Sequence, residues 1–173
     1  MNWTVNRIAH QQAAALGLGE AEKTSLHRAA RNLVMKDVVP SKVDDSDSRG
    51  TRLLDDEAAA VLALLMPLAR MAMDVRGLRE IANSLFAIQF NETETEIAHA
   101  IVKVKEGKSV TMVTKLRLHG ETLKLAPFTE FLVEGEEPTG KVADMVSAHT
   151  SAFYTDLVTM EVPASDILRP LLV

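Results

Sequence analysis

The order of segments between Thr24 and Leu85 constrains the fold more than any other feature of this chain. A short helix with one polar face leads into Val38-Val39-Pro40 and then into an acidic, Ser-rich gap. The chain returns through Arg49-Gly50-Thr51-Arg52 before a long apolar stretch. Because proline ends a regular element and glycine permits a tight turn, this order predicts a helix, a two-stranded hairpin and a further helix.

Helical spacing of apolar residues predicts four helices in the first half of the chain. Thr4 is expected to cap the first, from Trp3 to Leu16, which Gly17 and Gly19 end. A polar connector of Glu20, Glu22 and Lys23 is expected to follow. Thr24 or Ser25 is then expected to cap the second helix. The third helix begins at an Asp55-Asp56 cap and runs to about residue 71, and the fourth spans about residues 75–86.

The second half of the chain predicts a smaller α+β arrangement. Alternating apolar residues from Ser109 to Leu118 predict a half-buried strand. The other predicted elements are a helix from an Asn91 and Glu94 capping box to about Lys105, a turn at His119-Gly120-Glu121, a strand from Thr122 to Leu125 that Pro127 interrupts and that resumes from Phe128 to Val133, a short helix from Lys141 to His149, a strand from Leu157 to Val162, and a turn capped by Ser165. The chain is therefore expected to divide into domains of residues 1–87 and 88–173.

Composition excludes several classes of protein. The 173 residues include no cysteine, which excludes disulfides, thiol catalysis and cysteine-based zinc sites and fits a reducing compartment. No basic segment followed by an apolar run stands at the start, so no secretory signal is expected. The longest apolar stretch, residues 58–69, contains Pro67 and is too short to span a bilayer. We therefore expect a cytoplasmic protein that does not enter a membrane.

The net charge of −5 counts against a simple nucleic-acid-binding role, since DNA-binding domains usually carry a basic surface. The charge is unevenly distributed. Residues 1–84 carry eleven Lys and Arg against eleven Asp and Glu, whereas the remainder carries eight against thirteen. A neutral domain binds DNA only if its cations cluster on one surface. Its affinity would be modest, which favours a homodimer that engages two half-sites.

Polar residues suited to DNA lie on the second helix and on the turn that follows it. Arginine pairs bidentately with guanine and asparagine with adenine, while contacts to phosphate fix position. Arg52 stands out because a cation two residues beyond a turn glycine has little packing purpose. The candidate DNA-binding residues are Ser25, His27, Arg28, Arg31, Asn32, Lys36, Arg49, Thr51 and Arg52. The alternative is a solvated helix face, in which Arg28 and Arg31 pair with Glu22 or Asp37.

Three motifs resemble the winged-helix domain of MerR-type transcription regulators. The strand after the helix-turn-helix is matched by Lys36-Asp37-Val38-Val39-Pro40. The wing is matched by Gly50-Thr51-Arg52-Leu53-Leu54, and the final helix by LREIANSL, residues 78–85. The resemblance implies a winged helix-turn-helix over residues 1–87 that binds double-stranded DNA. Arg49 and Arg52 would hold phosphates or reach the minor groove, and Lys36 and Arg7 would add contacts to the DNA backbone. The residues that would enter the major groove are Ser25, His27, Arg28, Arg31 and Asn32.

No catalytic or metal-binding constellation emerges. The five histidines are dispersed without metal-ligand spacing, no serine stands in a nucleophile elbow, and Gly17-Leu18-Gly19 lacks the third glycine of a dinucleotide loop. The acidic run from Asp44 to Asp47 lacks the glycine and distal glutamate of a calcium loop. We therefore expect no enzyme, no cofactor and no metal.

Two functions remain open. The first is a sequence-specific DNA-binding transcriptional regulator of a bacterium, phage or mobile element, whose C-terminal domain dimerises, binds a protein partner or senses a signal. The second is a protein-interaction adaptor or anti-regulator that keeps a winged-helix scaffold without binding DNA. The apolar segment from Ile167 to Val173 is either a dimerisation element or a tail that docks on its own core.

Overall fold

The computed structural model describes residues 2–71, 73–88, 93–122, 125–136 and 154–172. Its architecture is mixed α and β, with two small antiparallel sheets. The chain divides into two compact units, one of Met1–Ala82 with Asp166–Val173 and the other of Asn83–Ser165. No helix in the described ranges is both long and apolar enough to cross a bilayer.

The first unit begins with a short strand and continues through two helices, a hairpin and two further helices. Its elements are β1 (Trp3–Thr4), α1 (Val5–Ala15), α2 (Glu20–Met35), β2 (Lys42–Val43), β3 (Arg52–Leu54), α3 (Asp56–Arg70) and α4 (Val75–Leu85), whose last residues enter the second unit. The sheet has the order β1-β3-β2 with antiparallel neighbours. Leu53 lies opposite Thr4 on one side and Lys42 on the other, so β3 joins the N-terminus to the hairpin.

Thr4 and Asp55 cap α1 and α3 as predicted, although the first helix begins at Val5 rather than at Trp3, which lies in β1. The Thr4 hydroxyl accepts a hydrogen bond from the Arg7 backbone N–H at 3.2 Å, and the Asp55 carboxylate accepts one from the Ala58 backbone N–H at 2.8 Å. Every residue of α3 from Ala58 to Met66 is buried, so the helix is covered on all sides over this stretch. This helix therefore forms the centre of the unit's core.

The start of α2 was predicted wrongly, because the helix begins at Glu20 rather than after a connector. The Gly19 backbone N–H donates to the Glu22 carboxylate at 3.2 Å, which is the half of a capping box that does not need a side chain on the capping residue. Glu20 and Glu22 lie in the first turn, where their charge complements the helix dipole. The acidic residues that were interpreted as a linker are therefore those that favour a helix N-terminus.

The end of α2 explains why Val38-Val39-Pro40 is not a strand. Asp37 adopts a left-handed φ of 50°. The backbone N–H of Asp37 donates to the Val34 carbonyl and that of Val38 to the Leu33 carbonyl, the two bonds of a Schellman motif. Val38 and Val39 are buried as part of this helix terminus, and the first hairpin strand is β2 instead.

The C-terminal segment belongs to the first unit, so the predicted second domain of residues 88–173 differs from the observed second unit. It consists of α6 (Ala164–Leu168), which starts in the second unit, and a 3-10 turn (Arg169–Leu171) that contacts α1. The Gln12 side-chain amide donates to the Ile167 carbonyl, and Ile167, Leu168 and Leu171 are buried. Of the two alternatives for this segment, docking on its own core is therefore the one observed.

The second unit packs one helix on a three-stranded sheet. Its elements are α5 (Glu96–Lys105), β4 (Val110–His119), β5 (Leu125–Val133) and β6 (Tyr154–Val162). The strand order is β5-β4-β6 with antiparallel neighbours, and α5 contacts β4 and β5. Thr95 caps α5, because its hydroxyl accepts a hydrogen bond from the Ala98 backbone N–H at 3.1 Å. Asn91, the first residue of the predicted capping box, lies outside the described residues.

Two strand predictions need correction. Of the described residues in the predicted strand over residues 122–125, Thr122 lies in a turn and Leu125 belongs to β5, and Pro127 lies inside β5 rather than interrupting it. Within the described part of the chain β5 pairs with β4 alone, and an edge strand tolerates a residue that lacks the N–H donor. Ser165 is not a cap: it lies within α6, and its hydroxyl accepts from the Val110 N–H. The predicted helix over residues 141–149 lies outside the described residues.

Candidate nucleic-acid interface

The exposed face of α2 carries the polar side chains that the sequence predicted for it. Leu26, Ala30, Leu33 and Val34 are buried, because their spacing sets one face of the helix against the core. Ser25, Arg28, Arg31 and Asn32 are exposed, and His27 is half-buried. The face that α2 presents to solvent is therefore rich in hydrogen-bond donors.

The hairpin loop is shaped by its own aspartates. Gly50 adopts a φ of +64°, which turns the chain, and the Asp44 N–H donates to the Thr51 carbonyl at 2.8 Å. The Asp47 carboxylate accepts from the Arg49 backbone N–H at 2.9 Å and from the Thr51 hydroxyl. These hydrogen bonds, that of Thr51 foremost, lower the pKa of Asp47. Part of the acidic run therefore stabilises the turn that displays Arg49.

A first cleft lies between α2 and the hairpin and encloses about 300 Å³. Its walls bring together five of the nine candidate residues from the two segments: His27, Arg31, Arg49, Thr51 and Arg52. Asn6 from α1 also lines it, and the Asn6 amide oxygen is hydrogen-bonded to His27 Nε2. The helix and the hairpin thus converge on one cation-lined surface.

A second cleft, of about 360 Å³, lies on the other side of α2, beside the end of α3 and the start of α4. The remaining four candidates, Ser25, Arg28, Asn32 and Lys36, line it together with Arg70. Sequence reasoning missed Arg70. The signal was a single exposed cation in the last turn of an otherwise buried apolar helix.

The arginines of these clefts differ in whether a carboxylate neutralises them. Among the residues that the structure describes, no ion pair or side-chain hydrogen bond engages Arg28, Arg31 or Arg49. The pairing with Glu22 or Asp37 that a solvated helix face would show is thus not found in the described ranges. Uncompensated guanidinium groups at a surface are suited to bind phosphate or base edges.

Arg52 behaves differently, and the prediction that it lacks a packing purpose is wrong. Its Nη1 atom lies 3.1 Å from the Ser41 hydroxyl and 3.6 Å from the Asp37 carboxylate. These contacts tie the hairpin base to the end of α2. A neighbouring tie comes from Arg79 of α4, which donates to the Lys36 carbonyl at 2.7 Å. Arg52 thus supports the cleft as well as lining it.

The described residues contain no cluster of histidine and acidic side chains that could hold a metal ion. The arrangement around α2 is suited to bind an extended anion, since it offers hydrogen-bond donors on a convex face and cations on both flanks. No protein-family model matches the chain, and no curated protein matches it.

Proposed function

We propose that this protein is a sequence-specific DNA-binding transcriptional regulator that acts in the cytoplasm. We propose a winged helix-turn-helix arrangement for the first unit, with α2 as the recognition helix and the β2–β3 hairpin as the wing. The element order β1-α1-α2-β2-β3-α3-α4 supports this arrangement. The MerR-like motifs at residues 36–40, 50–54 and 78–85 support it from the sequence.

The observation that carries the proposal is the pair of cation-lined clefts on either side of α2. A helix in the major groove lies between two phosphate backbones, and the groove is about 12 Å wide, enough for one helix. Each cleft would receive one backbone strand. With 16 residues, α2 is roughly 24 Å long, so two or more of its turns can face base edges.

The roles of individual side chains follow from this placement. Arg28 lies on the exposed face of α2 and would reach a base edge, with guanine its preferred partner. Arg31 and Arg49 line the first cleft and would hold one phosphate strand. Lys36 and Arg70 line the second cleft and would hold the other. Contacts to phosphate, in either cleft, add affinity without sequence preference.

A second candidate is the adaptor that has a winged-helix scaffold without DNA binding. One observation favours it: Asp37 and Asp47 place negative charge next to the first cleft. Their effect on a DNA-binding protein would be a modest affinity per copy, which a homodimer on two half-sites offsets.

The test uses the full chain and a fluorescent duplex of the gene's own upstream region, with an unrelated duplex of equal length as the control. Affinity for the upstream duplex should exceed that for the control and should fall steeply between about 50 and 200 mM salt, because bound cations displace counterions from phosphate. Absence of binding at low salt, or an affinity that salt does not change, would reject DNA binding and favour the adaptor.

A further inference from the structure

The last strand of the second sheet leaves one edge without a partner among the described residues. There, β6 pairs with β4 alone. Asp156, Leu157, Val158, Thr159 and Glu161 are all exposed, although they alternate between the two faces of the strand. A strand that pairs on one side only presents N–H and C=O groups along its other edge, where they offer hydrogen bonds to another strand.

The regular part of this edge is Val158–Val162. Leu116 pairs with Val158 and Arg117 with Asp156, which leaves Leu157 as the extra residue of a β-bulge. Bulges disturb pairing, so a partner strand would engage the edge beyond Leu157. From residue 158 to residue 162 the sequence alternates apolar and polar residues, VTMEV. Val158, Met160 and Val162 therefore lie on one face, and Thr159 and Glu161 on the other.

This five-residue pattern is complementary to itself. When two copies run antiparallel about an axis at Met160, Met160 faces its own counterpart and Val158 faces Val162 of the second copy. On the other face Thr159 lies opposite Glu161, so no two acids are opposed. Apolar pairs and a polar pair opposite each other are the contacts that stabilise an antiparallel ladder. A shift of one residue that centres the axis on Glu161 would oppose two carboxylates.

We propose that two copies of this chain pair through β6, strand against antiparallel strand, about a two-fold axis at Met160. The two sheets then continue into one sheet of at least six strands, and the half-exposed Val158 gains an apolar neighbour. This dimer does not depend on DNA binding. If the proposed function holds, it supplies the second recognition helix that a two-fold symmetric operator requires.

The first test exploits the absence of cysteine from the chain. A Met160→Cys variant carries a single thiol on the proposed axis, where the Cα atoms of two facing residues lie roughly 4.5–5.5 Å apart, within reach of a disulfide. In a glutathione redox buffer without DNA, it should form a covalent dimer. A Leu132→Cys variant, with its thiol at an exposed apolar position of β5, is the matched control. Cross-linking no faster than in this control would overturn the proposal.

The second test sets opposite charges at one position, with the mass of the full chain followed by sedimentation equilibrium. Thr159→Glu places two like-charged pairs across the axis and should weaken the dimer at least tenfold, whereas Thr159→Lys faces Glu161 and should strengthen it. Circular dichroism checks that both variants fold, and the cross-linking result decides if either does not. A monomeric wild-type chain at about 100 µM, or equal effects of the two charges, would overturn the proposal. Failure of DNA binding would change neither readout.

Discussion

The arginines of α2 and the hairpin tip differ from most cations of the second unit, and from Lys23, Arg52 and Arg76 of their own unit, in how they are paired. In the second unit Lys103, Lys108, Lys115 and Arg117 each form an ion pair with an acidic side chain, and Arg117 also stacks on the Phe128 ring. In the first unit the arginines of α2 and the hairpin tip have no such partner in the described ranges. An exposed guanidinium group without a carboxylate partner contributes little to the stability of the fold, and its hydrogen-bond donors can bind an external anion.

The Glu136 cluster shows how tightly the second unit compensates its charges. The Glu136 carboxylate lies 2.9 Å from Lys103 Nζ and also contacts Lys108 Nζ, and His99 Nε2 is 3.8 Å away. Lys103 and His99 belong to α5 and Lys108 precedes β4, so the carboxylate joins the helix to the sheet. The hydrogen bonds from Lys108 and Lys103 lower the pKa of Glu136 to about 2. This cluster has a structural explanation within the unit.

The largest expected effect comes from reversing the charge of the first cleft. Arg31→Glu combined with Arg49→Glu should lower affinity for the upstream duplex by roughly 100-fold or more near 0.1 M salt, because two phosphate contacts become repulsive. Stability should change by less than about 0.5 kcal/mol per site, since both side chains are exposed and unpaired in the described structure. Fluorescence anisotropy and urea unfolding measure the two quantities. If the free energy of unfolding falls together with DNA affinity, these two arginines stabilise the fold as the paired cations of the second unit do, and the contrast in cation pairing between the units is lost.

The Arg28→Ala variant is expected to lose less DNA affinity, and to lose it mainly on duplexes with one particular base pair. Loss of a bidentate contact to guanine should cost about 1–3 kcal/mol of binding free energy and relax the preference at one base pair. Competition with duplexes that differ at single positions measures this preference. The matched control is Arg169→Ala, which removes an exposed cation from the 3-10 turn of the same unit. A uniform loss on all duplexes would make Arg28 a phosphate contact instead.

In the second unit, Glu136→Gln should act on stability alone. Because the folded-state pKa of Glu136 is lowered from 4.5 to about 2, its contribution is present above pH 4.5 and disappears as pH falls toward 2. Urea unfolding should therefore give a lower midpoint for the variant at pH 7 and nearly equal midpoints at the acidic end. Glu134→Gln, an exposed neighbour, is the control. DNA affinity at pH 7 should remain unchanged, and a loss would show that the cluster also serves binding.

The smallest expected effect tests the one compensated arginine of the first cleft. Asp37→Asn removes the carboxylate beside Arg52 and keeps a residue that tolerates the left-handed φ of 50°. Because this pair is exposed, stability should change little, while DNA affinity should rise by about two- to fivefold as one repulsive charge disappears. An affinity that decreases would show that Asp37 positions Arg52 for binding rather than competing for it.

The sequence predicted those elements whose signals are local. Thr4 and Asp55 cap helices where expected, because a side-chain oxygen satisfies backbone donors wherever the chain enters a helix. The start of α2 and the Asp37 terminus were missed, since a glycine N-cap that bonds only through its backbone N–H and a left-handed aspartate are less usual solutions. The same limitation applies to Arg52, whose partners Ser41 and Asp37 are fixed by how the hairpin folds back.

The candidate site was predictable only as a set of residues. The spacing of the candidates in α2 placed them on the exposed side of that helix. Periodicity cannot tell which element lies next to each edge of that side. Packing divides the set between two clefts, with Arg31 facing the hairpin and Asn32 facing the end of α3. Arg70 joins the second cleft through tertiary contacts. Its local signal, a lone cation in the last turn of an apolar helix, indicates exposure but not which residues lie beside it.

The central claim is that Arg31 and Arg49 together hold phosphate in the first cleft, and the salt dependence of DNA binding tests it most directly. The slope of log K against log salt changes by about 0.9 for each phosphate contact. The Arg31→Ala and Arg49→Ala double variant should therefore give a slope shallower than that of the wild-type chain by about 2, whereas Arg169→Ala should leave it unchanged. Equal slopes for the wild-type chain and the double variant would contradict the account.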